Sequence, residues 1–401
     1  MTAFVESCAK TVTGSARAVA RRAHRHPKAM QLIKVLSAKK RVLITTHAHP
    51  DPDAMASCQA LYVLLTEHLE KGTEIKVSFK GGVGGGLNET FANLTDLKPI
   101  PWDESALTSW DAIVLLDTQP AFANNPLPAE LTPLVVIDHH RGGRKLPANC
   151  AFCDIRPDVG AVSSIVFSYF MELELKIAPD LAATLLYAIE SDLAGAAGQP
   201  GELDNIALSS LTLMADTRKL YKMRYLDLPQ NFFVSYAQGL NNAILYDSVV
   251  MSHLENVPSP ERPAVIADFL LRFDQAKWSL VTGVMNGQLV MSLRTYPGQK
   301  MSAAELMKRL VRGLGGGGGH RAKAGGGIKL TTGTQAEIDR LREILRRRLL
   351  RNVGIKGARG HRLIPRSGEG SPARAANPSP LAASRNTTPP TPLAAAPPAS
   401  A

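Results

Sequence analysis

The sequence has few cysteines, few aromatic residues and no long apolar run. Four cysteines in 401 residues are too few for a disulfide framework and fit a reducing compartment, so we expect a cytoplasmic protein. No apolar stretch approaches the about 20 residues that span a bilayer, and no membrane span is expected. Hydrophobic residues make up 45% and charged residues 20%, the balance of a folded globular protein.

The net charge of +11 is carried by the two ends of the chain. Residues 1–41 carry +9 and residues 340–401 carry +10, which leaves residues 42–339 with −8. An acidic body that handles anionic substrates needs compensating cations, and bound metal ions would supply them. The basic ends either contact nucleic acid or another anionic surface, or are simply solvated.

Short apolar runs alternate with helical patterns through the first half of the chain. This alternation predicts an α/β fold with a parallel sheet. The functional groups of such sheets gather at the carboxyl ends of the strands. The runs predicted as strands are 41–46, 74–79, 112–116 and 134–137, and the helical patterns cover 54–69, 161–173, 179–191 and 204–216.

A second, smaller α/β unit is predicted in the second half, with a cleft between the two. Its pattern comprises a hairpin, two amphipathic helices and, between the helices, a glycine-rich loop over residues 315–327. The predicted segments are a basic helical extension (1–40), a catalytic domain (41–216), a connecting region (217–260), a C-terminal domain (261–352) and a disordered tail rich in Pro, Ala, Ser and Arg (353–401).

Acidic and histidine side chains follow several of the predicted strands. Each alone has a structural interpretation as a solvated turn or a cap, but parallel strand ends converge, so together they predict one cluster. Oxygen and imidazole ligands suit divalent ions such as Mn²⁺, and two ions about 3.5–4 Å apart orient water and stabilise a leaving oxygen in phosphoester cleavage. The candidate residues are His47, Asp51, Asp53, Asp117, the triplet Asp138-His139-His140, and Asp192 after a predicted helix.

These motifs resemble those of the DHH phosphoesterase superfamily, which is named for the triplet found here at 138–140. The first family motif matches residues 47–54, Asp117 matches the second and Asp192 the fourth. Residues 316–325 resemble the glycine-rich signature of the DHH-associated C-terminal domain, in its first, GGGH-bearing type. The resemblance covers roughly residues 40–350.

The resemblance implies two divalent ions, with manganese expected and magnesium or cobalt as alternatives. Asp117 would bridge them, Asp138 would orient a histidine, and His140 would face the scissile phosphate. One ion would be held by His47, Asp51 and Asp117, and the other by Asp53, Asp117, His139 and Asp192.

Substrate contacts are expected from the C-terminal domain. Glycine lets backbone N–H groups approach a phosphate, and basic side chains add charge-assisted hydrogen bonds. The residues expected there are Arg294, Gly318, Gly319, His320 and Arg321.

Two positions depart from the family pattern. Lys323 stands where a small residue is usual and changes the charge of the substrate face, and Leu193 stands where threonine is common. Neither removes a proposed ligand.

Among relatives, the domain pair best resembles the oligoribonuclease and 3′-phosphoadenosine-5′-phosphate phosphatase group. This implies hydrolysis of short RNA or DNA oligonucleotides, dinucleotides or nucleotide 3′,5′-bisphosphates. The alternatives are a cyclic dinucleotide phosphodiesterase and a nucleotide- or nucleic-acid-binding regulator without turnover. Whether the chain forms a homodimer is left open.

Overall fold

The first half of the chain forms a five-stranded sheet whose paired strands are all parallel, in the order β2-β1-β3-β4-β5. The computed structural model describes residues 28–83, 87–122, 124–141, 149–193, 200–296, 298–319, 321–357 and 359–365. The order reverses between β1 and β3, and the carboxyl ends of strands at such a point form a natural binding crevice. The strands are β1 (Arg41–Thr46), β2 (Glu74–Val77), β3 (Ala112–Leu116), β4 (Val135–Asp138) and β5 (Phe152–Ile155).

Helices pack around this sheet and extend beyond it. The helix Pro52–His68 is capped at its start by Asp51. Pro52 occupies its first turn, where a proline loses no hydrogen bond. The helices are α1 (Lys28–Leu36), α2 (Pro52–His68), α3 (Leu87–Asn93), α4 (Val162–Glu172), α5 (Pro179–Leu193), α6 (Glu202–Met214), α7 (Thr217–Arg224) and α8 (Gln230–Asn241).

A second sheet, of seven strands and mixed direction, follows in the order β10-β11-β9-β8-β7-β6-β12. Leu280 and Val281 alternate between two apolar cores, one on each face of this sheet. Its elements are β6 (Ile244–Tyr246), β7 (Val249–Asn256), α9 (Glu261–Leu271), β8 (Trp278–Met285), β9 (Gln288–Thr295), α10 (Ala303–Val311), β10 (Gly316–Gly319), β11 (Lys323–Lys329), α11 (Gln335–Asn352) and β12 (His361–Arg362). The α/β fold and the parallel first sheet are therefore confirmed.

The glycine-rich segment is not the loop that the sequence predicted. Strands β10 and β11 pair antiparallel, and β11 continues the sheet onto β9. A Cβ on Gly326 would lie 2.8 Å from the Met307 sulfur of α10, and one on Gly319 would overlap the Lys323 carbonyl oxygen. The glycines thus allow close approach of backbone to helix and of backbone to backbone, a use that composition alone does not distinguish from flexibility.

The second sheet also extends beyond the predicted boundaries of the C-terminal domain. It begins at Ile244, inside the segment predicted as a connecting region, and β12 pairs with β6. In the described part of the N-terminal extension, Lys28–Leu36 form helix α1, whereas residues 1–27 and 366–401 lie outside the described residues. None of the described helices has the length and apolarity needed to cross a membrane.

The core beneath the second sheet gives a stability test. Leu345 of α11 is fully buried in this core. The Leu345→Ala substitution should lower the free energy of unfolding by about 2–5 kcal/mol, because it leaves a cavity. The exposed Arg340→Ala variant on the same helix should stay within about 0.5 kcal/mol. Urea denaturation followed by circular dichroism measures both, and equal midpoints would contradict this assignment of the core.

Candidate metal centre

Asp117 lies at the centre of the candidate site, directly after β3. Its φ of 54° places it in the left-handed region, which Asp adopts more readily than most residues. Its Oδ2 lies 3.4 Å from His47 Nε2, and its Oδ1 lies 3.3 Å from His139 Nε2. One carboxylate therefore contacts the histidines that follow two different strands.

The Oδ1 atom of Asp117 is buried without a hydrogen-bond partner in the described part of the chain. The His139 Nε2 atom lies at an ion-pair distance from this oxygen. A buried carboxylate oxygen left in this way is costly unless a cation binds it. The atom therefore fits a metal ligand better than a structural acceptor.

Asp51 and Asp53 approach from the start of α2. Asp51 Oδ1 accepts a hydrogen bond from Ala54 N at 3.0 Å. Both oxygens of Asp53 accept bonds at the start of α4, from Val162 N at 2.7 Å and Ser163 N at 2.9 Å. The positive ends of two helices thus hold these carboxylates in place.

Asp138 holds the triplet in a fixed arrangement. It is fully buried, and its Oδ1 accepts bonds from His139 N at 2.8 Å and from His140 Nδ1 at 2.6 Å. Its Oδ2 accepts a bond from Gln119 Nε2 at 2.7 Å, and Gln119 also donates to the His140 carbonyl at 3.0 Å. Gln119 was not among the residues predicted for the site, and in the sequence only its position two residues after Asp117 indicates such a role.

His139 presents one defined nitrogen to the cluster. Its Nδ1 lies 3.2 Å from the Val159 carbonyl, and this contact assigns the proton to Nδ1. The Nε2 atom lies 3.3 Å from Asp117 Oδ1 and 3.9 Å from Asp192 Oδ2. A backbone carbonyl that fixes the tautomer in this way is a common feature of metal-binding histidines.

Asp192, in the last turn of α5, is contacted from the second sheet. Lys323 Nζ donates to the Asp192 carbonyl at 3.1 Å and lies 3.8 Å from its Oδ1. Lys323, which departs from the family pattern, therefore contacts a proposed metal ligand. A second contact joins the same two parts of the chain, where Leu87 N of α3 donates to Glu261 Oε1 of α9 at 3.0 Å.

The ligand atoms form three groups, each within 4.8 Å. Two groups together contain all six residues proposed as metal ligands, and the third holds the triplet around Asp117. This mixed oxygen and nitrogen set fits two neighbouring divalent ions of the manganese or magnesium type. The groups are His47, Asp51 and Asp117; Asp53, His139 and Asp192; and Asp117, Asp138, His139 and His140.

The electrostatics of the cluster reflect uncompensated negative charge. Burial raises the pKa of Asp53 well above its usual range, and the charges of Asp117 and Asp192 raise it further. Burial alone would lower the pKa of His47, but the Asp117 hydrogen bond and the Asp51 and Asp117 charges outweigh it and raise the value to about 9. The protein without metal thus holds protons where cations would bind.

The predicted substrate contacts fall into three kinds. Arg294 does not contact the cluster: its Nε donates to Asp268 at 2.8 Å, while its strand position pairs with that of Lys323. Gly318 and Gly319 lie in β10, and the Arg321 side chain is exposed. His320 lies outside the described residues. Where these residues contact substrate stays a prediction.

The fold and the site define the class: an α/β protein with a carboxylate–histidine centre at the ends of its parallel strands. We call the part built on the five-stranded sheet the first lobe and the part built on the seven-stranded sheet the second lobe. Residues 41–189 match the DHH family, N-terminal domain. The matched stretch contains every proposed metal ligand except Asp192.

Two relatives extend the comparison. An uncharacterized protein of Methanocaldococcus jannaschii is 27% identical over 335 residues, which cover 82% of this chain and 67% of that protein. A probable manganese-dependent inorganic pyrophosphatase of Streptococcus equi subsp. zooepidemicus is 28% identical over 163 residues, covering 38% of this chain. That match spans about half the pyrophosphatase, 48% of its length.

One solved structure shares the overall fold. The crystal structure of an exopolyphosphatase-related protein from Bacteroides fragilis matches 80% of this chain and 96% of that chain, with a TM-score of 0.60 and 16% identity. At this identity the likeness shows the fold alone.

Removal of the Asp117 carboxylate should abolish tight metal binding. Asp117→Asn keeps a side chain that tolerates the positive φ, yet removes the charge shared by the clusters. Manganese affinity should fall at least about 100-fold, since loss of an outer partner alone costs about 10–100-fold. Isothermal titration calorimetry measures this, with the exposed Asp274→Asn as control. Unchanged affinity would contradict a central role for Asp117.

Metal binding should release protons. Because the pKa of His47 is raised to about 9 in the protein without metal, this residue is protonated at neutral pH and must lose its proton to become a ligand. Manganese affinity should therefore rise as pH increases towards about 9. Calorimetry in two buffers of different ionisation enthalpy counts the protons, and His47→Asn should reduce the count by about one. Identical heats in both buffers would exclude this coupling.

Proposed function

We propose that this protein is a metal-dependent phosphoesterase that hydrolyses phosphoester bonds in small nucleotides or short oligonucleotides. The observation that carries the proposal is the pair of neighbouring ligand groups: Asp117 belongs to the first and lies 3.3 Å from His139 of the second. It is supported by the DHH family domain and by the similarity to a probable manganese-dependent pyrophosphatase. We assign the centre to the first lobe and substrate contacts to the second.

The bound ions would neutralise phosphate charge, lower the pKa of an attacking water and stabilise the leaving oxygen. The chain's own residues position the reacting groups. Asp138 holds His140 by its Nδ1 atom at 2.6 Å, which fixes the plane of the ring. Burial lowers the pKa of His140, but the Asp138 hydrogen bond and the Asp117 charge outweigh it and raise the value. His140 is therefore suited to donate a proton to a phosphate oxygen.

The second lobe supports an anionic substrate. Lys323 already reaches Asp192, and its strand neighbour Arg294 offers a guanidinium on the adjacent strand. Arg321 is exposed close by in sequence. We propose dinucleotides, short oligonucleotides or nucleotide 3′,5′-bisphosphates as substrates, because each carries a phosphate at the centre and further polar groups for the second lobe. A cyclic dinucleotide would meet the same requirements.

Inorganic pyrophosphate is a second candidate substrate, because the pyrophosphatase similarity favours it. A nucleotide-binding regulator without turnover is a different class, and the intact ligand set argues against it. A substrate panel with purified protein separates these functions. It would contain a linear dinucleotide, a nucleotide 3′,5′-bisphosphate, a cyclic dinucleotide and pyrophosphate, each with Mn²⁺ and with chelator.

We expect manganese-dependent release of mononucleotide or phosphate from a nucleotide substrate, and none with chelator. Asp138→Asn should lower kcat by roughly 100-fold or more, because His140 loses its anionic partner and general acid–base catalysis contributes about 10²–10⁴-fold. His49→Asn is the control: His49 follows β1, as the proposed ligand His47 does, and has a positive φ of 57°, but belongs to no ligand group among the described residues. Turnover that persists in Asp117→Asn and Asp138→Asn would refute the proposed centre, and faster turnover of pyrophosphate would redirect the substrate assignment.

A further inference from the structure

We propose that the outer face of α7 binds single-stranded nucleic acid and guides it to the metal centre, an inference that rests on the proposed function. The face consists of Arg218, Tyr221, Lys222 and Tyr225, which we call the α7 strip. The α7 strip lies in residues 217–260, which the sequence predicted to be a connecting region.

Helical spacing places Arg218, Tyr221 and Lys222 on one side of α7, at positions i, i+3 and i+4. Tyr225 directly follows the last helical residue, and its ring packs on that of Tyr221, which continues the surface past the end of the helix. All four are exposed, with Tyr221 64% and Tyr225 67% accessible, while Leu220 and Met223 of the same helix are buried. The inward face thus anchors the helix, and the outward face has no apolar partner among the described residues.

The two tyrosines of the strip form an open aromatic surface. Their ring centroids lie 4.7 Å apart with an interplanar angle of 32°. Nucleobases stack on tyrosine rings without regard to sequence, and flanking cations attract the phosphates between them. Arg218 and Lys222 supply those cations.

Two ion pairs show how α7 lies relative to α5. Lys219 Nζ lies 3.7 Å from Asp180, near the start of α5, and Arg224 Nε donates to Glu190 at 2.9 Å, near its end. Helix α7 therefore runs beside α5 in the same direction. Asp192 follows Glu190 by two residues, so the Tyr225 end of the strip lies at the end of α5 that carries a proposed ligand.

Charge decides between nucleic acid and a second copy of this chain as occupant. A two-fold contact pairs one patch with itself, which would bring Arg218 and Lys222 against the same cations of the partner. The strip contains no acidic residue to offset them. A polyanion that offers flat rings matches both its charge and its shape.

Binding to a fluorescein-labelled hexanucleotide in excess chelator tests the strip independently of catalysis. Fluorescence anisotropy with the full chain should show about tenfold or greater weakening for Tyr221→Ala/Tyr225→Ala. Tyr221→Phe/Tyr225→Phe should bind like the parent, because stacking needs only the rings. Arg218→Gln/Lys222→Gln should reduce the salt dependence by a slope of about 0.7 for each lost phosphate contact. Tyr62→Ala, an exposed tyrosine of α2, is the control.

Kinetics then link the strip to the centre. With Mn²⁺, the double alanine variant should raise KM for the hexanucleotide about tenfold while leaving kcat, and both constants for a nucleotide 3′,5′-bisphosphate, unchanged. If the parent hydrolyses nothing, the proposed function fails, and the anisotropy result still decides on the strip. Parental affinity in the double alanine variant would overturn the inference. So would loss of self-association in sedimentation without loss of oligonucleotide affinity, since the face would then join copies of this chain.

Discussion

Mutual repulsion among closely placed carboxylates is the constraint on which the functional part of this structure depends. Asp53 and Asp117 are buried and Asp192 is partly buried, so their charges raise one another's energy. Burial also raises the pKa of Asp53 and Asp192. The fold partly offsets the repulsion with helix N-termini, with protonated histidines and with Lys323 from the second lobe. The remaining negative charge is what makes the cluster a site for cations.

Much of the first lobe was predictable because a parallel sheet converts sequence order into spatial convergence. His47, Asp117 and the triplet each follow a short apolar run, so their meeting at one sheet edge required no knowledge of side-chain contacts. Contacts made at a distance were not predictable. Gln119 supports Asp138 through a hydrogen bond that no spacing rule indicates, and the glycine-rich segment forms strands because a neighbouring helix packs flat against it. Composition shows that the segment is rich in glycine, but it does not show which helix or strand packs against those glycines.

Helix α5 connects the features that the two lobes share. Its end carries Asp192, whose backbone carbonyl accepts a hydrogen bond from Lys323 of the second sheet, and two residues earlier the Glu190 carboxylate accepts one from Arg224 of α7. A displacement of the second lobe would therefore be transmitted to a proposed ligand through Lys323. Lys323, which departs from the family pattern, thus connects the second lobe directly to a proposed metal ligand, in addition to any contact with substrate.

The left-handed backbone of Asp117 has a consequence for the evolution of this chain. A non-glycine residue at a φ of 54° costs of order 1 kcal/mol. Glycine would relieve this backbone strain, but it would also remove the carboxylate that lies 3.4 Å from His47 Nε2 and 3.3 Å from His139 Nε2. Burial alone would raise the pKa of Asp117, but these histidines outweigh it and hold the value below its usual range, so the ionised carboxylate stabilises the folded protein without metal. Selection for folding and selection for metal binding would therefore keep the same residue at this position.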